Sequence, residues 1–151
     1  MTRLQRVLFR IGAWACLVTA GLHLIGHFSG GPPPANETEA TMQRLMKTYS
    51  FDLMGVQLTM GRLVEGYSLT YSLFLVLVGL STLAVIAALP ESVRVVRRVA
   101  TLNALAAFAL LAIGLGHFPP PPNICMAVIG LAFAGSLLRH PERSEGSAIP
   151  G

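Results

Sequence analysis

The sequence predicts an all-α integral membrane protein: an up-and-down bundle of four transmembrane helices with an extracytoplasmic amphipathic helical segment. Three observations point there. Apolar residues come in long blocks instead of an amphipathic rhythm, and burial in lipid explains such blocks better than a soluble core does. The composition is 53% hydrophobic and only 12% charged, against roughly 25% charged in ordinary soluble domains. Basic residues gather beside the apolar blocks on one expected side of the membrane. The 151 residues suit one domain, expected over 1–139, followed by a polar tail over 140–151 read as disordered and cytoplasmic.

The first span, about 8–28, follows Arg3, Arg6 and Arg10. A basic start before an apolar stretch also describes a signal peptide. The two histidines near its end, and the lack of a small-residue cleavage pattern before the glycines, favour a retained helix. The run Ser29-Gly30-Gly31-Pro32-Pro33-Pro34 stops it, because glycine and proline cannot continue a helix.

Residues 35–66 form the only substantial polar segment, with an outer helical part expected over 36–65. Asn36 is placed as an N-cap, with Glu39 in the capping-box position. Ala40, Met42, Leu45, Met46 and Tyr49 then recur at near-helical spacing, with Arg44 and Lys47 between them, the pattern of a helix lying on the membrane. A second short helix is expected over 51–65, capped by Asp52. The second span, about 67–89, is polar on one side of its first half, at Tyr67, Ser68, Thr70, Tyr71 and Ser72, and ends at Pro90. A short arginine-bearing connection leads to the third span, about 99–118, which stops at four prolines. The fourth, about 123–138, is short.

Orientation follows from the positive-inside rule. With the N-terminus inside, Arg3, Arg6, Arg10, Arg94, Arg97, Arg98, Arg139 and Arg143 are cytoplasmic, eight of the eleven basic residues. The expected location is therefore the cytoplasmic (inner) membrane of a bacterium, multi-pass, with both termini in the cytoplasm. The formal charge of +4 is membrane-flanking and does not form a nucleic-acid stripe. Cys16 and Cys125 differ in expected depth by about nine residues, roughly 13 Å, too far for a disulfide. Trp14 and the apolar run continuing past Cys16 argue against a lipoprotein cysteine.

This topology places His23, His27, His117, Glu65, Arg62 and Tyr67 within roughly two helical turns of the outer face. Ionisable groups at such depth usually face the bundle or a wet cavity. His23 and His27, four apart, share one side of a helix, and with Glu65 or His117 they form a candidate transition-metal set. His27 and His117, each preceded by glycine, form a candidate haem-binding pair. His23 beside Glu65, with Arg62 and Tyr67 steadying negative charge, is a candidate acid–base set acting on a lipophilic substrate.

The competing reading is structural. Histidine, tyrosine and arginine suit the interfacial belt, Arg62 and Glu65 can pair on a helix surface, and Asn103 can supply one interhelical hydrogen bond worth about 1 kcal/mol. Gly12, Cys16 and Ala20 suit close helix packing. Met42, Met46, Met54 and Met60 are too irregularly spaced for a copper site. The functional expectation is a polar His/Glu pocket binding a metal, haem or lipid-like small molecule, against an accessory subunit of a larger complex or an acid–base enzyme. Its expected partners are the bilayer, a lipophilic molecule or other membrane subunits, and a second copy if it transports anything; nucleic acid is not among them. No motif names a reaction.

Gly26-His27-Phe28 and Gly116-His117-Phe118 each precede a proline run, a three-residue hint of a duplicated two-helix unit. The order GLHLIGHF, SFDLMG, GRLVEGYSLTYSLFL and a proline-introduced last helix resembles a group of small uncharacterised bacterial four-helix membrane proteins. The resemblance implies a bacterial cytoplasmic-membrane location and an outward segment before span two, and it brings no activity, cofactor or site residue.

Overall fold

A computed structural model describes residues 2–30 and 32–138; the expected tail over 140–151 lies outside the described residues. The chain forms α1 (Arg3–Phe28), α2 (Glu37–Thr48), β1 (Ser50–Leu53), β2 (Val56–Thr59), α3 (Met60–Ala88), α4 (Val93–His117) and α5 (Pro120–Gly135). α1, α3 and α4 are long and apolar enough to cross a membrane, whereas α5 is apolar but has only 16 residues.

Each long helix begins before its apolar block; at α1 and α3 a capping side chain lies upstream, whereas Ser92 makes no such bond at α4. Thr2 and Gln5 form a capping box at α1: the Gln5 N–H donates to Thr2 Oγ1 (3.2 Å) and the Thr2 N–H to Gln5 Oε1 (2.8 Å). Thr59 Oγ1 accepts from the Arg62 N–H at the start of α3. Consequently Arg3, Arg6 and Arg10 ride on α1. Arg94, Arg97 and Arg98, expected in a connection, occupy the first turns of α4.

The segment between α1 and α3 departs from expectation. Asn36 caps α2 as expected, its side chain accepting from the Glu39 N–H at 2.9 Å; the Glu39 carboxylate reaches the Ala35 N–H instead of the cap's own. Residues 51–59 of the expected second helix are not helical. They belong to an antiparallel hairpin paired from Ser50↔Thr59 to Leu53↔Val56. Its two-residue loop, Met54 (φ 55°) and Gly55 (φ 85°), has both residues left-handed, the geometry whose twist matches the flanking strands. Asp52 does not cap a helix. Its carboxylate accepts from the Gly55 N–H at 3.0 Å and closes the turn.

α1 packs against both α3 and α5, and α4 packs against α5, while α3 and α4 touch sparingly. Small residues set these distances. Gly12, Ala13, Cys16, Thr19 and Ala20 are buried along α1. A Cβ added at Gly12 would meet the Phe133 ring at 2.9 Å, and that ring lies edge-on to Phe9. On α4 the buried ridge is Val96, Ala100, Ala104 and Ala107, and Gly130 of α5 faces the Phe108 ring. Gln5 with Leu138, His23 with Ser68, and Asn123 with Gly114 fix the pairs as antiparallel. The arginine-bearing starts of α1 and α4 therefore lie at one end. His23, His117 and the starts of α3 and α5 lie at the other.

Large apolar side chains face outward throughout: Trp14, Val18 and Leu22 on α1, Leu73 and Leu77 on α3, and Leu102 and Leu105 on α4 are all exposed. A water-solvated monomer rarely carries such a continuous apolar exterior.

The turn between α4 and α5 suits a low-dielectric medium in two ways. The N-cap and first three positions of α5 are residues 119–122, all proline. These are the positions whose N–H groups would find no acceptor inside the helix, and proline has no N–H. Asn123 then donates from Nδ2 to the carbonyls of Gly114 (3.2 Å) and Phe118 (3.2 Å), covering acceptors at the end of α4.

Gly79 supplies a test of the α1–α3 contact. A Cβ there would lie 2.8 Å from Leu17 and 2.9 Å from the Ala13 carbonyl oxygen, whereas nothing lies within 4 Å of one at Gly66. Gly79→Ala is expected to lower stability by about 1–3 kcal/mol through overpacking. Gly66→Ala, on the same helix, is expected to be neutral or to stabilise by up to about 1 kcal/mol. Thermal unfolding of both variants in detergent compares them.

Candidate functional site

The polar residues of span two's first half are sorted by helix geometry. Ser68, Tyr71 and Ser72, spaced i, i+3 and i+4, share one side of α3 and turn toward α1 and α5. Ser72 is fully buried and donates its hydroxyl to the Ser68 carbonyl at 3.1 Å. Ser68 Oγ lies 2.9 Å from His23 Nε2 of α1. The Tyr71 ring stands edge-on to the His23 imidazole, with centroids 5.2 Å apart. The Tyr71 hydroxyl donates to the Met126 sulfur of α5 at 3.8 Å. Three helices thus meet around one half-buried cluster of His23, Ser68, Tyr71 and Met126.

The other sequence-expected residues are placed differently. His27, one turn beyond His23 and half-buried, sets its ring edge-on to Phe28. Arg62, Glu65 and Tyr67 are exposed on the first two turns of α3. His117 is exposed at the end of α4, with Nδ1 2.9 Å from the Ile113 carbonyl of its own helix. Among the described residues, no three of the histidine, cysteine, aspartate and glutamate side chains come together to hold a metal ion. His23, His27, His117 and Glu65 therefore do not form one ligand set. The physical reason is azimuth: α1 and α4 each pack on α5, so histidines at the same level project into different surroundings. His27 and His117, the candidate haem pair, sit on helices joined through α5 and not on facing ones.

The structure also supplies contacts absent from the sequence reading. Ser68 and Tyr71 were legible as a polar helix side, but not as partners of His23. Asn103 makes the expected interhelical bond, donating from Nδ2 to Thr82 Oγ1 at 2.9 Å, and Thr82 is buried. Cys16 is buried and Cys125 half-buried, and both are free thiols. Gly26 and Gly116, which precede His27 and His117, both have open space where a Cβ would stand.

Comparison of the chain with protein-family models, with curated proteins and with solved structures finds no match in any of the three.

The His23–Ser68 contact joins two helices, so its strength is measurable by a double-mutant cycle. His23→Ala and Ser68→Ala are expected to couple by about 0.6 kcal/mol and by no more than about 1.7 kcal/mol, the range of interhelical hydrogen bonds in membranes. Unfolding in detergent measures it; strict additivity would remove the contact from the account.

Proposed function

We propose that this chain is a four-pass protein of the bacterial cytoplasmic membrane that holds the polar end of a lipophilic small molecule where α1, α3 and α5 meet. α5 is the fourth span in this reading, the arginine-bearing end is cytoplasmic, and α2 with the hairpin stands outside. The positions of Arg3, Arg6, Arg94, Arg97 and Arg98 at one end of the antiparallel helices support that orientation.

One observation carries the binding reading. Tyr71, half-buried between three helices, gives its hydroxyl proton to a thioether sulfur, a weak acceptor. A buried tyrosine hydroxyl ordinarily finds a better one. His23, with Nε2 engaged by Ser68, keeps Nδ1 for a second partner. A ligand oxygen placed near Met126 would accept from Tyr71 and meet His23, while its apolar remainder lies among acyl chains. The partner of His23 is Ser68 and not Glu65, which favours binding over proton transfer. Exposed apolar side chains on every long helix supply the route of entry from the bilayer.

Two measurements test this. A cysteine placed at Gln57 in the hairpin is expected to react with a membrane-impermeant maleimide added to intact cells or spheroplasts; labelling only after lysis reverses the topology. Native mass spectrometry of protein extracted in mild detergent is expected to show a stoichiometric amphiphile on the wild type and on His117→Ala. The amphiphile should be lost from Tyr71→Phe, which keeps the ring and removes the hydroxyl. A bare wild type, or an adduct indifferent to Tyr71→Phe, refutes the site.

A further inference from the structure

At the opposite end of the molecule, Arg94, Arg97, Arg98 and Thr101 recur at i, i+3, i+4 and i+7 on α4, one side of the helix. They lie outside the buried ridge of Val96, Ala100 and Ala104. With Val93 and Leu102 they line an open, shallow groove along this one face of α4. We propose that this groove binds an anionic phospholipid of the cytoplasmic leaflet, with the phosphate held by the three guanidinium groups and an acyl chain lying along Leu102. The inference rests on the membrane reading above, but not on the ligand site at Tyr71.

The chemistry follows from what the groove offers. Guanidinium is a planar fork of donors that matches phosphate oxygens two at a time and holds its charge at any physiological pH. The Thr101 hydroxyl donates to the Arg97 carbonyl at 3.0 Å, which leaves its oxygen turned to accept and assigns anion binding to the arginines. None of the described lining residues is acidic, so no internal carboxylate among them competes for the charge. From Arg94 to Thr101 the helix rises about 10 Å, enough to pass from the headgroup layer to the first carbons of the chains. Leu102, exposed, marks where the apolar part begins. A free phosphate ion would satisfy the arginines and leave Val93 and Leu102 uncovered, so the apolar rim selects the lipid. Basic sites on the cytoplasmic side of membrane helices recognise headgroups on this principle.

The test uses the full chain in detergent micelles offered equal amounts of phosphatidylglycerol and phosphatidylcholine, with retained lipid counted by native mass spectrometry. Wild type is expected to prefer phosphatidylglycerol. Each arginine-to-glutamine change on α4 should reduce that preference about fivefold, the worth of one basic residue at an anionic surface. The triple variant R94Q/R97Q/R98Q should then lose on the order of a hundredfold. R3Q/R6Q/R10Q removes the same charge from α1 and is expected to lose no more than about fivefold. R94K/R97K/R98K, charged but without forks, is expected to fall between wild type and the glutamine variant. Elution volume and helical signal confirm that the variants remain folded. Equal loss from the α1 and α4 triples would reduce the effect to diffuse charge and overturn the site. So would a wild type without preference, or a preference abolished by inorganic phosphate at constant ionic strength.

Discussion

Close approach of helix backbones at α1 is the interaction on which the other contacts depend. In the membrane reading, lipid tails are as apolar as leucine, so burying leucine between helices gains little over leaving it in lipid. What remains is dense packing at short distance and a few satisfied polar contacts. α1 supplies the short distance through Gly12, Ala13, Cys16, Thr19 and Ala20, and receives Phe133 on one flank and Gly79 on the other. Because α1 is held on both sides, its last turns bring His23 to Ser68 and Tyr71, and its first turns bring Gln5 to the Leu138 carbonyl. α4 has no comparable grip on α1 and joins the molecule through α5.

The two ends consequently carry different chemistry. At the histidine end His23, Ser68 and Tyr71 turn inward and meet one another across helices, with the Tyr71 hydroxyl on a weak acceptor, while Arg62, Glu65, Tyr67 and His117 stay exposed. At the arginine end the charged groups point outward, along α4, with apolar residues at their rim. The two proposed sites follow this division: a polar group met inside the helix junction at one end, and a headgroup met on the surface of α4 at the other. Asn103 and Thr82, between the two ends, tie α3 to α4 where those helices otherwise touch little.

Much of this was legible in the sequence, and the misses have physical causes. Three apolar helices could be read from block length, and the basic end from charge placement, because both are linear properties of the chain. Helix starts could not, since Thr2 and Thr59 lie in stretches whose composition reads as flanking sequence. The hairpin was hidden because its first left-handed turn position is Met54, where asparagine or aspartate would have announced the turn; Gly55 alone is an ambiguous signal. Residue counting gave each histidine its level along the helices, but nothing in the count gives the direction a side chain faces. His23 meets side chains of a neighbouring helix and His117 only the backbone of its own, because packing, not depth, decides azimuth. In the sequence Tyr71 is only one member of a polar helix side, and its place at the junction depends on where α5 lies.

The proline run before α5 has an effect on shape. A helix that begins with no unmet donors has no need of water at its tip, so the junction of α4 and α5 is free to sit beneath the phosphate plane. With 16 residues, α5 is about 24 Å long, shorter than the hydrocarbon layer of roughly 30 Å. In the proposed four-pass arrangement, the lipid beside α5 would thin locally to match it, as it does around other short spans.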